Sequence, residues 1–92
     1  MDIVWDESKN QLNVEKHALD FADAAEVLSG PHLVCEDLRK DYGEQRFIAV
    51  GYLRARMVVI VYTMRQSIYR IISMRKANAR EQKAYYKRLE TN

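Results

Sequence analysis

Four arginines in the second half of the chain have the chemistry that contact with a phosphate requires. They are Arg46, Arg70, Arg75 and Arg80, and the last three belong to the run RIISMRKANAREQKAYYKRL at positions 70–89. A guanidinium offers forked N–H donors that match two oxygens of one phosphate. The run therefore indicates a surface that binds a polyanion, although each arginine could equally be a solvated charge or the partner of an acidic residue.

The charge is split between the two halves of the chain. Positions 1–44 carry four Lys or Arg and eleven Asp or Glu, a net charge of −7, whereas positions 45–92 carry eleven and two, a net charge of +9. The whole-chain value of +2 conceals this division. A field of one sign on a small domain attracts nucleic acid or an acidic protein, and the charge split alone does not separate these partners.

Length and composition exclude several classes of protein. A chain of 92 residues predicts a single domain over positions 1–92 with one compact core. The longest apolar stretch, at 57–62, is far shorter than the ~20 residues of a membrane span, and the N-terminus does not resemble a secretory signal. The lone cysteine, Cys35, excludes an internal disulfide and is expected in the core. We therefore expect a cytoplasmic protein without membrane contact.

The sequence also gives no reason to expect a bound group. No Cys or His residues have metal-ligand spacing, and the three glycines form no phosphate-binding loop. Neither a metal nor another cofactor is expected.

The first third of the chain predicts one short strand and two helices. Positions 3–5 resemble a strand, and Asp6 is placed to cap a helix that runs to about Lys16. Asp20 begins a second, amphipathic helix, which Gly30-Pro31 ends.

From His32 onward the period of the apolar residues changes to two, which predicts four strands at 32–37, 46–53, 57–63 and 67–75. Short connections between the last three favour hairpins. Asn78 and Glu81 then form a capping box, which opens a last helix that runs to about Leu89. The expected fold is α+β: a curved antiparallel sheet, largely a meander, with two N-terminal helices and one C-terminal helix packed on one side.

Strand alternation assigns side chains to the two faces of this sheet. In strand 67–75, Arg70 falls on the face of Ile68 and Met74, whereas Arg75 falls on the opposite face. The two arginines could line one cleft only if the strand contained a bulge. Strand 57–63 is apolar on both faces, which predicts a central strand covered by helices on one side and by a partner chain or a ligand cleft on the other.

Several segments, in this order, resemble one known family. They are VWDESK at 4–9, EKH at 15–17, DFADAAEV at 20–27, GEQRFIAVG at 43–51, IVYT at 60–63 and RIISMRKANARE at 70–81. Together they are similar to BrnT, the toxin of a bacterial type II toxin–antitoxin pair, whose fold resembles that of the RelE ribonucleases. One departure is Ala18, where the family usually has the glycine that a left-handed helix cap favours.

The resemblance implies an endoribonuclease that cleaves mRNA without a metal ion and arrests growth. It also implies a cognate antitoxin, a ribbon-helix-helix protein of the BrnA type. Toxin and antitoxin together would bind operator DNA, so that the toxin reaches DNA only through this complex.

Such a cleavage needs a group that takes the proton of the 2′-OH, positive charge at the pentacoordinate phosphate and a donor for the leaving 5′-oxygen. The four arginines are the candidates for the charge. Lys16, His17, Glu26 and Tyr62 compete for the proton transfers. In the alternative interpretation His17 caps helix carbonyls, Lys16 is solvated and Glu26 pairs with a basic neighbour.

Lys76, Tyr62 and Tyr86 are further candidates for contact with RNA, since tyrosine rings stack on unpaired bases. The structural alternative for the adjacent pair Tyr85 and Tyr86 is that one lies in the core and the other on the surface, because neighbouring helical residues face different directions.

Two other functions fit the same charge pattern. The chain could be a nucleic-acid-binding module without catalysis, or an interaction domain whose basic surface receives an acidic antitoxin. Without the family resemblance the binding module would rank first, whereas with it the toxin leads. RNA cleavage in the presence of EDTA, and the nature of the adjacent reading frame, distinguish these hypotheses.

Overall fold

The computed structural model describes residues 1–90, in which five strands form one sheet with helices on both sides. In chain order the elements are β1 (Asp2–Trp5), α1 (Glu7–His17), a 3₁₀ turn (Phe21–Asp23), α2 (Ala24–Ser29), β2 (His32–Glu36), β3 (Phe47–Leu53), β4 (Arg56–Arg65), β5 (Ile68–Lys76) and α3 (Ala79–Glu90). These are the predicted elements, and most ends differ from the predicted ones by one or two residues. The exception is the second helix, whose predicted first turn is the 3₁₀ turn, so that α2 itself begins only at Ala24.

The helical segments begin at the polar residues that the sequence predicted as caps. Asp6 accepts a hydrogen bond from a backbone N–H of α1 at 3.2 Å, and Asp20 accepts one from the 3₁₀ turn at 2.9 Å. Before α3, the Asn78 side chain accepts from the Glu81 N–H at 2.8 Å, and the Glu81 carboxylate accepts from the Asn78 N–H at 2.9 Å. The predicted capping box is therefore confirmed.

The sheet is mixed, which corrects the expectation of a purely antiparallel one. Strands β2 to β5 form an antiparallel meander as predicted, but β1 joins β5 in parallel, so that the strand order is β1-β5-β4-β3-β2. Parallel pairing requires a long connection, and here most of the chain lies between the two strands. The four residues of β1 contain no local pattern that specifies so distant a partner.

One face of the sheet, called here the inner face, packs against α2 and the 3₁₀ turn, with α1 alongside. Val58, Ile60 and Tyr62 of β4 and Ile71 and Met74 of β5 are buried there. The helical layer contributes the buried residues Leu19, Phe21, Ala24, Val27 and Leu28. Because burial of each large apolar side chain stabilises the fold by about 1.5–3 kcal/mol, this face holds the main core.

The second face is covered in part by α3, whereas all helices were expected on one side. Tyr85 of α3 is buried against Met57, Val59 and Ala77, and the adjacent Tyr86 is 48% exposed. The predicted division of the tyrosine pair between core and surface is confirmed. Since β4 is apolar on both faces, its second face also needs a cover, and α3 provides it.

Cys35 lies on this second face and is exposed, which corrects the expectation of a core cysteine. Its strand, β2, is an edge strand of the sheet, and α3 leaves part of that edge open.

Ala18 ends α1 in the left-handed conformation, with φ 57° and ψ 34°, and its N–H donates to the Val14 carbonyl at 2.8 Å. The helix therefore ends in the way that a glycine would favour, and the alanine bears the strain, which for an L-residue is about 1–2 kcal/mol.

Asn13 fastens α1 to the sheet at the point where β1 stops. β1 pairs with β5 only as far as Ile71, so the edge of β5 beyond it has no strand partner within residues 1–90. The Asn13 amide donates to the Met74 carbonyl at 2.9 Å, and its Oδ1 accepts from the Met74 N–H at 3.2 Å. The same amide also donates to the Leu19 carbonyl at 3.0 Å. A buried side chain thus continues the hydrogen bonding of the strand beyond its end.

Replacement of Asn13 by Ala should destabilise the fold by about 2–4 kcal/mol, because it leaves three buried backbone groups without a partner. The urea midpoint of unfolding measures this loss. Gln11→Ala, at an exposed neighbouring position, serves as the control. Its free energy of unfolding should stay within about 0.5 kcal/mol of the wild-type value. Equal stability of the two variants would show that the Asn13 bonds contribute nothing.

Candidate active site

A β-bulge in β5 determines which side chains of that strand lie together. Tyr62 of β4 pairs with Ile71, but the preceding residue, Val61, pairs with Ser73. Ile72 is therefore an extra residue on β5. Beyond such a bulge the alternation of side chains between the faces changes phase.

The bulge brings Arg70 and Arg75 to the same face, which corrects the alternation expected from the sequence. Arg70, Ser73 and Arg75 pair with Thr63, Val61 and Val59 of β4, and these three β4 residues share one face. It is the second face, the one that carries α3. Alternation along β3, where Ile48 pairs with Val61, continues to place Arg46 on this face as well. We call the surface that carries Arg46, Arg70, Ser73 and Arg75 the arginine face.

The arginines of this face are spread out rather than gathered at one point. Arg70 and Arg75 pair with Thr63 and Val59, which are four residue steps apart along β4, or roughly 13 Å at ~3.3 Å per residue. Arg46 and Arg70 flank β4, two strand spacings apart, which is roughly 10 Å. A flexible chain of anions fits this spread better than one small anion does.

Arg75 is held by Glu81 of α3. Arg75 Nη1 donates to Glu81 Oε1 and Arg75 Nη2 donates to Glu81 Oε2, both at 2.7 Å. Nη1 also donates to the Lys76 carbonyl at 3.2 Å. The paired guanidinium holds the pKa of the Glu81 carboxyl below its usual range, and the carboxylate raises the pKa of Arg75. Both groups are therefore charged at neutral pH.

A second carboxylate lies at the other end of the arginine face. Glu44 accepts from Arg65 Nη2 at 2.9 Å, and its Oε2 is 3.9 Å from Arg46 Nε. Arg65, Arg46 and Arg70 together lower the pKa of Glu44, with the hydrogen bond from Arg65 as the main cause. Within residues 1–90 Arg70 makes no hydrogen bond or ion pair, unlike Arg46 and Arg75, so of the three arginines on this face it is the one most available to a ligand.

Residues of the loop between β2 and β3 contact Arg46 and restrict its side chain. The Arg46 guanidinium lies over the Tyr42 ring at 4.1 Å from its centroid, and the Tyr42 hydroxyl donates to Asp37 at 3.0 Å. Asp37 is buried and accepts two bonds of 2.8 Å from Arg39, which hold its pKa well below the usual range. This loop therefore keeps its form over the whole neutral pH range.

The structure does not bring the other predicted site residues to the arginine face. Lys16 and His17 end α1, which belongs to the layer over the inner face. Tyr62 is 6% exposed and stacks on Phe47 in the core, and burial raises its pKa. A nucleobase therefore cannot stack on its ring. Glu26 pairs with Arg54 at 3.4 Å, which confirms the alternative prediction that it pairs with a basic neighbour.

Lys76 and Tyr86 lie together in a different place. Both line a hollow with Tyr52 and Arg56, at the end of the sheet where α3 begins. The Tyr86 and Tyr52 hydroxyls form a hydrogen bond with each other. Arg80 is exposed in the first turn of α3.

The sequence did not predict that Ser73, Glu44 and Glu81 lie beside the candidate arginines. The sequence predicts Glu81 only as a member of the capping box, although a carboxylate six residues beyond Arg75, at the start of the next helix, is a signal for contact with that arginine. Ser73 was hidden by the bulge. Glu44 lies in the loop between β2 and β3, and no local sequence pattern predicts the course of that loop.

Within residues 1–90 there is no group of three or more His, Cys, Asp or Glu side chains that could hold a metal ion. Among the described helices, none is long and apolar enough to cross a membrane.

The fold and the site define a small α+β protein in which one sheet face carries three arginines. A family model described as "Ribonuclease toxin, BrnT, of type II toxin-antitoxin system" matches residues 5–81, which is most of the chain, and the chain belongs to this family. The resemblance expected from the motifs is confirmed. No individually curated protein matches the chain closely enough to count as a relative. The matched segment contains every residue of the arginine face and ends at Glu81.

If the arginine face binds a phosphate chain, Arg70→Ala should weaken the binding of a single-stranded DNA oligonucleotide, which lacks the 2′-OH and stays intact. The slope of log Kd against log salt should fall by about 0.7, because the variant neutralises one phosphate fewer. Fluorescence anisotropy over a salt series measures it. Arg54→Ala is the matched control, because Arg54 is exposed but pairs with Asp23 and Glu26 beside α2. An unchanged slope in Arg70→Ala, or an equal change in both variants, would contradict this assignment.

Proposed function

We propose that this chain is an endoribonuclease toxin that cleaves mRNA without a metal ion, by attack of a 2′-OH on the adjacent phosphate. The 2′-oxygen forms a bond to phosphorus and the bond to the 5′-oxygen breaks. The products are a 2′,3′-cyclic phosphate and a 5′-OH end. The observation that carries this proposal is the alignment of Arg70, Ser73 and Arg75 on one sheet face, with a carboxylate in contact with Arg75.

Arg75 and Ser73 are the residues that this proposal assigns to the scissile phosphate. A guanidinium offers bidentate contact to two non-bridging oxygens, and a serine hydroxyl adds one further donor. Because the phosphate gains negative charge in the transition state, fixed donors at this point lower the barrier. The ion pair with Glu81 fixes Arg75 in advance.

Arg70 and Arg46 are assigned to phosphates that flank the scissile one. Their distance from Arg75 along the face suits neighbouring nucleotides of one strand rather than the same phosphate. Arg80, Lys76 and Tyr86 add positive charge and one exposed ring around α3, where a longer RNA would pass. A fold of the RelE type belongs to the same proposal, supported by the antiparallel meander with two N-terminal helices on its inner face.

The partner proposed for this toxin is a ribbon-helix-helix antitoxin of the BrnA type, and operator DNA would be bound only by their complex. The family description supports an antitoxin partner. An apolar groove of about 540 Å³ lies between α3 and strands β2 and β3, lined among others by Leu33, Ile48, Val50, Ala84 and Tyr85. It borders the arginine face, so an antitoxin segment seated there would also block access of RNA.

Purified protein should cleave single-stranded RNA in excess EDTA, since none of the steps above uses a metal ion. Arg75→Ala should reduce the rate about 10²–10³-fold, the usual loss on removal of one donor to a developing oxyanion. Gel analysis of an end-labelled RNA measures both. Circular dichroism verifies that the variant is folded.

Arg54→Ala is the control and should cleave like the wild type. Addition of the protein encoded by the adjacent reading frame should suppress cleavage. If the RNA stays intact at high protein concentration while salt-sensitive binding persists, the chain is a non-catalytic binding module and the proposal fails.

A further inference from the structure

We infer that Glu81 is the general base of the cleavage, the group that takes the proton of the attacking 2′-OH. This inference rests on the proposed function and deepens it.

Glu81 occupies only one of the two forks of the Arg75 guanidinium. It takes the end of the group, through Nη1 and Nη2, and the second N–H of Nη1 is used by the Lys76 carbonyl. Arg75 Nε makes no hydrogen bond within residues 1–90. The side fork, formed by Nε–H and the remaining N–H of Nη2, is therefore open, and it has the geometry that two phosphate oxygens require.

A phosphate on the side fork would lie beside Glu81 Oε2. Both would be bonded to the same atom, Arg75 Nη2, which is 2.7 Å from Oε2. The attacking hydroxyl of the neighbouring ribose approaches that phosphorus directly. A base must lie within hydrogen-bond reach of the proton it takes, and Oε2 is the carboxylate oxygen of the arginine face that meets this condition.

Oε2 is also the oxygen with spare capacity. Oε1 already accepts from Arg75 Nη1 and from the Asn78 N–H, whereas Oε2 accepts only from Arg75 Nη2 within residues 1–90. The Glu81 side chain is 25% accessible, so a ligand can reach it. Because Arg75 keeps it ionised, the carboxylate is in the form that accepts a proton at neutral pH.

The other candidate bases fit less well. Glu44 is bonded to Arg65 at the opposite end of the face, and Arg75 does not contact it. His17 and Lys16 lie with α1 over the inner face.

The proton balance of the step is simple. The 2′-OH proton passes to Glu81 Oε2, the 2′-oxygen bonds to phosphorus, and the departing 5′-oxygen takes a proton from water. Glu81 then returns its proton to solvent.

Glu81 also caps α3, so the test must separate a chemical role from a structural one. Glu81→Gln suits this purpose because its amide oxygen can still accept from Arg75 Nη1 and from the Asn78 N–H, whereas the amide nitrogen replaces Oε2, the oxygen assigned to the proton, and takes no proton at these pH values. Asn78→Ala is the matched control. It removes the other half of the capping box and leaves the contact between Arg75 and Glu81 in place.

Single-turnover cleavage of an RNA oligonucleotide should fall about 10²–10⁴-fold in Glu81→Gln, the usual contribution of a general base. The Kd for a 2′-deoxy oligonucleotide should stay within about threefold of the wild type, and Asn78→Ala should cleave within about fivefold of it. Glu81→Gln activity close to that of the wild type, or an equal loss in Asn78→Ala, would overturn the inference.

The wild-type pH profile gives a second readout that does not depend on how well a variant folds. Since the pKa of Glu81 is depressed, the rate should stay level from neutral pH down past 4.5 and then fall tenfold per pH unit. Circular dichroism in the same buffers excludes unfolding as the cause. A fall that begins near pH 6–7, as for a histidine base, would contradict Glu81. If the wild type itself leaves RNA intact, the proposed function fails, whereas an active Glu81→Gln protein removes only this inference.

Discussion

One extra residue in β5 decides what the sheet presents to its surroundings. With regular alternation, Arg70 would point towards the inner face, among the apolar side chains that pack under α2. Burial of an unpaired guanidinium there would cost several kcal/mol. The bulge at Ile72 lets the apolar residues Tyr69, Ile71 and Met74 all reach the inner core, while Arg70, Ser73 and Arg75 remain on the opposite face. The requirements of the core and the composition of the arginine face are thus satisfied by the same irregularity.

A single carboxylate joins this strand to the last helix. Glu81 completes the capping box with Asn78 and at the same time takes the end of the Arg75 guanidinium. The position of α3 and the orientation of Arg75 therefore depend on each other. Because the pair is partly exposed, its contribution to stability is modest, and its main effect is to fix geometry. Asn13 has the corresponding role for α1, since its side chain hydrogen-bonds this helix to the open edge of β5. Both connections converge on the strand that carries the arginines.

The sequence predicted those features that local patterns encode. Caps at Asp6, Asp20 and Asn78, the change of period at His32 and the stop at Gly30-Pro31 gave the elements and their order. Three features needed information from distant parts of the chain. β1 pairs with a strand more than 60 residues away, the bulge depends on the packing of β5 between two neighbours, and the side taken by α3 depends on which face of β4 lacks a cover.

The candidate site shows the same limits. The four arginines were identified by residue type, but the bulge is needed to bring Arg70 and Arg75 to one face, and Arg80 lies apart in the first turn of α3. The charge split was informative in part, because the acidic first half supplies α1 and α2 over the inner face. Its later residues, Asp37 and Glu44, instead lie beside the arginine face. Glu44 Oε2 is 3.9 Å from Arg46 Nε, and Asp37 accepts a hydrogen bond from Tyr42, whose ring lies against the Arg46 guanidinium.

The central claim is that this face directs a 2′-OH at a phosphate, and the ends of the cut RNA test it most directly. Mass spectrometry of the products from a short RNA, cleaved in EDTA, identifies both ends. The account predicts a 2′,3′-cyclic phosphate, or the 3′-phosphate that forms from it, on one fragment and a 5′-OH on the other. A 3′-OH paired with a 5′-phosphate would show that water attacks the phosphate, and it would contradict the account.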